Sequence, residues 1–178
     1  MSLYGTILLT LLLQDWLGQG RSHQAPARPW ALTLDAVRPI AVPAGVRNRV
    51  LAELEYEPSD SVRGTVVDLN HDGTPDYIVR SAASLCGTGG CLYLVIDGAT
   101  EKILGQVFGE PLYIQVAESH GYPVITSYAH MSAVSGSYTT WVFDGQAYQK
   151  TSSRSVEGAS LDSLFAILRR VPVWRPRQ

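Results

Sequence analysis

Between Ser61 and about Thr151 the hydrophobic pattern keeps a period of two, and this stretch decides most of what the chain can fold into. Strand-like runs occupy Gly64–Leu69, Asp76–Ala82, Cys91–Asp97, Lys102–Phe108, Leu112–Glu118, Val124–Met131, Tyr138–Asp144 and Ala147–Thr151. Gly, Asp, Asn and Ser separate them, residues that supply turns through conformational freedom or local hydrogen bonds. Asp97-Gly98 and Asp144-Gly145 each lie between two such runs, which is the pattern of a tight hairpin. The expected fold is mainly β, built as an antiparallel meander.

Helical periods flank the meander. Pro43–Leu54 reads as an N-terminal helix, with Pro43 in its first turn and Val46, Val50, Leu51 and Leu54 on one side. Ser160 can cap a C-terminal helix running to Arg170, with Leu161, Leu164, Phe165 and Leu168 on one face, before Pro172 and Pro176. Inside the meander, Ile78, Ala82, Val95, Asp97 and Gly98 recur as Ile125, Ala129, Val142, Asp144 and Gly145, always 47 residues on. A spacing of this size suits a duplicated, propeller-blade-like unit of four strands.

Hydrophobic residues make up 46% of the 178-residue chain and charged residues 17%, enough apolar content to bury a core. Fourteen Lys and Arg against sixteen Asp and Glu give a net charge of −2, unlike the basic balance of a nucleic-acid binder. No apolar run approaches the roughly 20 residues of a spanning helix, so the chain is not expected to span a membrane. Met1–Leu13 is apolar over the length of a signal peptide, and Ala25-Pro26-Ala27 offers a cleavage site, although no Lys or Arg precedes the apolar run. Residues 1–27 are read as a signal peptide and 28–178 as one β-rich domain, with its core at 61–151 and a terminal helix at 160–170. The alternative is a short buried N-terminal helix. Export would place the protein in the periplasm or outside the cell, where its only two cysteines, Cys86 and Cys91, are expected to form a disulfide. Three of the four residues between them are glycine, which lets so short a loop bend to disulfide geometry.

The segment with the clearest chemistry is Asp68-Leu-Asn70-His-Asp72-Gly73-Thr74-Pro-Asp76. Counting from Asp68, oxygen side chains fall at positions 1, 3, 5 and 9, glycine at 6, and Thr74 at position 7 offers its carbonyl. Alternate residues point inward in such a loop, and hard oxygen donors with three carboxylates select Ca²⁺ over softer metals. The flanks read as strands and position 12 is Val79, so the loop differs from an EF-hand. An Asx-stabilised turn without an ion is the alternative.

Val66 to Val79 resembles an FG-GAP/VCBS repeat, the calcium-binding β-hairpin of integrin α-type propeller blades. The resemblance implies that Asp68, Asn70, Asp72, Thr74 and Asp76 hold a structural Ca²⁺. In the copy 47 residues on, Gln115, Ala117, Ser119 and Pro123 stand where Asp68, Asn70, Asp72 and Asp76 do, so that unit has no such site. The layout is also similar to small exported bacterial proteins of unknown function.

Alternation places Thr126, Tyr128, His130 and Ser132 on one strand face, which makes Tyr128, His130, Tyr138 and Thr140 a candidate binding surface for a protein or glycan. The expected function is a non-enzymatic interaction module, for example one that recognises or inhibits an envelope protein. The alternatives are an envelope hydrolase using His120 or His130 with a nearby serine or the Glu53–Asp60 acids, or a structural part of a larger assembly. Neither a nucleophile-elbow motif nor a paired-histidine zinc motif accompanies those histidines. Arg169, Arg170, Arg175 and Arg177 read as solvated charges at the end of the last helix.

Overall fold

The structure is a computed structural model that describes residues 25–175. In chain order the main elements are β1 (Trp30–Leu32), β2 (Arg38–Pro39), α1 (Ala44–Glu53), β3 (Arg63–Val67), β4 (Asp76–Arg80), β5 (Cys91–Asp97), β6 (Lys102–Gly109), β7 (Leu112–Ser119), β8 (Tyr122–Ser132), β9 (Ser135–Phe143), β10 (Tyr148–Glu157) and α2 (Gly158–Leu168). The strands form two antiparallel sheets, ordered β2-β3-β4-β5-β6 and β1-β7-β8-β9-β10.

The single meander expected from the sequence is therefore divided in two, and neither sheet closes into a propeller. The division has a hydrophobic cause. Ile78, Tyr93, Val95 and Val107 of the first sheet meet Leu112, Ile114, Ile125, Phe143 and Tyr148 of the second in one buried cluster. The outer faces are apolar too. Val46 and Val50 of α1, with Leu54 just after it, cover Val79, Leu94 and Ile96, while Leu161, Leu164 and Leu168 of α2 cover Tyr113, Tyr128 and Val156. Folding the meander back on itself after Gly109 buries the inner faces against each other and leaves one face per sheet for a helix. The result is four layers: helix, sheet, sheet, helix.

A 47-residue shift carries β3 to β6 onto β7 to β10, and the turns agree closely. Asp97 Oδ1 accepts the amides of Ala99 (2.8 Å) and Thr100 (3.2 Å); Asp144 Oδ1 accepts those of Gln146 and Ala147, both at 2.8 Å. Ile78 and Ile125 both enter the inter-sheet core. Val95 also enters it, whereas at β9 its neighbour Phe143 takes that role in place of Val142.

Helix α2 begins two residues before the expected cap. Glu157 is its N-cap and forms a reciprocal box with Ser160: the Glu157 side chain accepts the Ser160 amide, and Ser160 Oγ accepts the Glu157 amide at 3.2 Å. Beyond the helix the chain returns to the core. Ala31 donates to the Pro172 carbonyl and Trp174 to the Ala31 carbonyl, both at 2.8 Å. Among the described residues no helix is long and apolar enough to cross a membrane.

Candidate metal centre

Asp68–Asp76 forms the turn between β3 and β4. Gly73 has φ +89°, a left-handed conformation that a side chain would strain, and this lets the chain double back. Asp68 is 5% exposed, with Oδ2 accepting the Gly73 amide at 3.1 Å. Its Oδ1 is the one buried side-chain oxygen or nitrogen without a protein partner among the described residues. Asn70 Oδ1 accepts the Asp72 amide at 3.1 Å, and its Nδ2 donates to Asp72 Oδ2 at 2.9 Å and the Tyr122 hydroxyl at 3.1 Å. Asp72 is exposed, and the Thr74 amide, donating at 2.6 Å, holds its carboxyl below the usual range. Thr74 is half-buried.

Asp76 is fully buried, with its two oxygens accepting the amides of Leu69 (2.8 Å) and Gly98 (3.0 Å). Burial pushes its carboxyl up to about 6 against the lowering effect of those two amides. Asp97 and Asp72 are close enough to raise it further. The loop also ties the two sheets together through Asn70–Tyr122 and through His71, whose Nε2 is 3.8 Å from Glu118 Oε1.

Among the described residues, no group of three or more His, Cys, Asp or Glu side chains stands close enough together to hold a metal. The carboxylates of Asp72 and Asp76 are held by amide donors, while Asp68 presents an oxygen with nothing to bind. A buried, unpaired carboxylate oxygen in a loop of hard oxygen donors fits a Ca²⁺ ion. The contributions of Gly98, Asp97 and Tyr122 went unread in the sequence. Asp97-Gly98 signals a hairpin there, but nothing links that turn to the loop 22 residues away.

Cys86 and Cys91 are joined in a disulfide, and Gly87 and Gly90 exchange backbone hydrogen bonds of 2.9 and 3.0 Å within the loop. The candidate binding surface is rearranged. Tyr128 is 1% exposed and packs beneath α2 against Phe165, with ring centroids 5.0 Å apart, so it belongs to the core. Period two separates the two faces of a strand, but it does not reveal that a helix covers the second one. His130 remains exposed and Tyr138 and Thr140 half-exposed. Tyr138 donates to Thr126 at 2.8 Å, Gln115 donates to the same hydroxyl at 2.9 Å, and Arg154 lies over the Tyr138 ring.

The histidines stand apart from each other's surroundings. His120 Nδ1 lies 3.1 Å from Ser119 Oγ and 3.2 Å from the Phe143 carbonyl, which can only accept, while His130 Nδ1 lies 3.4 Å from the Tyr128 hydroxyl. Glu53 pairs with Arg49 at 3.1 Å, and Asp60 accepts the Glu57 amide at 3.0 Å. The leader falls outside the described residues up to position 24. Ala25, within the expected cleavage site, donates to the Asp68 carbonyl at 3.3 Å. Cutting after Ala27 removes that contact with the loop. No family model, curated protein or solved structure matches the chain.

A second, half-buried carboxyl adds to the pH response. Glu110 Oε1 accepts the Leu34 amide at 2.8 Å, and Oε2 accepts the Tyr93 hydroxyl. Burial raises this carboxyl above its ordinary value, partly offset by those two bonds and by Arg80. The folded protein thus holds this proton more tightly than the unfolded chain. Its contribution to stability is full below about 4.5 and is lost as pH rises through the raised folded value. In urea unfolding between pH 4 and 7, Glu110→Gln is expected to lose that part of the pH dependence. An unchanged slope in the variant would contradict the assignment.

Proposed function

We propose that this protein is an exported, non-enzymatic binding module stabilised by one structural Ca²⁺ ion at the 68–76 loop. The observation that carries the reading is the buried, unpaired Asp68 Oδ1. Asp68, Asn70, Asp72, the Thr74 carbonyl and Asp76 would hold the ion, which would supply the positive charge that the unpaired Asp68 oxygen lacks. The effect reaches beyond the hairpin, because the same loop contacts Tyr122 and Glu118 of the opposite sheet.

The FG-GAP/VCBS likeness of residues 66–79, the matched four-strand units and the paired turn aspartates support reading each unit as a blade-like duplicate, only the first keeping its ion loop. The disulfide is compatible with an oxidising compartment. For the partner, a protein or glycan in the cell envelope, the uncovered part of the second sheet offers His130, Tyr138, Thr140 and Arg154. The hydrolase reading has no corresponding observation, since among the described residues neither histidine's hydrogen bonds join it to a nucleophile and an acid together.

The test is thermal unfolding of the full-length protein in millimolar calcium and in chelator. An ion that binds only the folded state at 100 times its dissociation constant adds about 2.7 kcal/mol. A rise in melting temperature of several degrees is expected, and Asp72→Ala should abolish it. Equal melting in calcium and chelator would overturn the reading.

A further inference from the structure

At the opposite end of β3 and β4 from the calcium loop, the strand register gathers positive charge. Arg63 of β3 faces Arg80 of β4, which in turn faces Tyr93 of β5. Directly paired residues project from the same face of an antiparallel sheet, here the face that looks toward the second sheet, because Tyr93 lies in the inter-sheet core. The rung thus leads from the buried Tyr93 out to two half-buried arginines. Arg38 joins them from β2, since Arg38 Nη1 (3.1 Å) and Arg63 Nη2 (3.2 Å) both donate to the Val37 carbonyl.

Like charges directly opposite one another destabilise a sheet. The ion pairs among the described residues are Arg49–Glu53 and His71–Glu118, and none involves these three arginines. Each guanidinium has five N–H donors. Arg63 gives one bond to Val37 and Arg80 one to Ser81, at 3.3 Å, which leaves most of their donors without an acceptor among the described residues. The nearby titratable groups are Tyr93, Tyr56, Asp35 and Glu110, and both carboxylate oxygens of Glu110 already accept hydrogen bonds. Three cations stand beside two carboxyls, Asp35 and Glu110, and Glu110 is engaged at both oxygens, so the cluster keeps a net positive charge.

We propose that Arg38, Arg63 and Arg80 form a binding site for a doubly charged oxyanion, a phosphate or sulfate group, at the mouth between the two sheets. Arg63 and Arg80 supply the direct contacts as a cross-strand pair of planar forks, and Arg38 adds charge from the edge. The site is independent of the calcium loop and of the partner surface on β8–β10.

The experiment is sulfate and inorganic phosphate titration of the full-length protein in calcium-free buffer, against chloride at matched ionic strength, read by melting temperature. Saturable stabilisation by sulfate and phosphate is expected, and not by chloride. Arg63→Gln and Arg80→Gln should each weaken it about tenfold or more, since each removes a charge-assisted contact. Lys150→Gln, an exposed change outside the cluster, should leave it intact, and Glu110→Gln should tighten it by removing the adjacent negative charge. O-phosphoserine separates the sources: tighter binding than inorganic phosphate marks a group carried on a larger ligand, and equal binding marks the free ion. A sulfate response no larger than that of chloride overturns the proposal. So does a wild-type response in both arginine variants.

Discussion

Trp174→Ala is expected to destabilise the protein by about 3–5 kcal/mol, the usual cost of deleting a large buried aromatic side chain. Trp174 lies close to the described C-terminus, yet it is only 8% exposed. Its ring packs on Trp30, with centroids 5.0 Å apart, and its indole N–H donates to the buried Thr65 hydroxyl at 2.7 Å. Its backbone joins Ala31, so the tail closes the open edge of the short strand β1. Truncation therefore leaves a cavity between the sheets and an unpaired hydroxyl on β3. Urea unfolding should show a midpoint far below wild type with a similar slope. A loss under about 1 kcal/mol would mean that the tail is not part of the core.

Gly98→Ala is expected to cost about 1–3 kcal/mol and to weaken calcium binding at the same time. A Cβ at position 98 would lie 1.8 Å from the Pro75 carbonyl oxygen, and the Tyr77 ring is 3.3 Å away on another side. Pro75 is backbone within the 68–76 loop, so relief requires moving the loop itself. That movement also separates the Gly98 amide from Asp76, leaving a buried carboxylate oxygen without its donor. Gly87→Ala is the control: nothing lies within 4 Å of its added Cβ, and a change within about 0.5 kcal/mol is expected. Stability and calcium titration together check the prediction, because a simple packing defect would lower stability without changing affinity.

The strands were legible because their side chains alternate between environments and their turns carry Asp, Gly and Asn. Cys91–Asp97 begins and ends where the pattern indicates. The partition into two sheets was not legible, since local periodicity is the same for one long meander and for one folded on itself. Only burial of both faces distinguishes them, and this also explains Tyr128, which alternates like a surface residue while α2 covers its face. The oxygen spacing of Asp68 to Asp76 was legible because the loop is contiguous. Its clamp at Gly98 and its link to Tyr122 depend on contacts across the fold. Arg63 and Arg80 are far apart in the chain and meet through strand register, while Arg38 reaches Arg63 through the shared Val37 carbonyl.

The most direct measurement is a calorimetric calcium titration of the full-length protein beside Asp68→Asn. The buried Oδ1 of Asp68 predicts one ion per chain for wild type. In the variant, a neutral amide replaces that carboxylate, and binding should weaken by at least tenfold. Absence of binding at millimolar calcium, or equal binding by wild type and Asp68→Asn, would contradict the account.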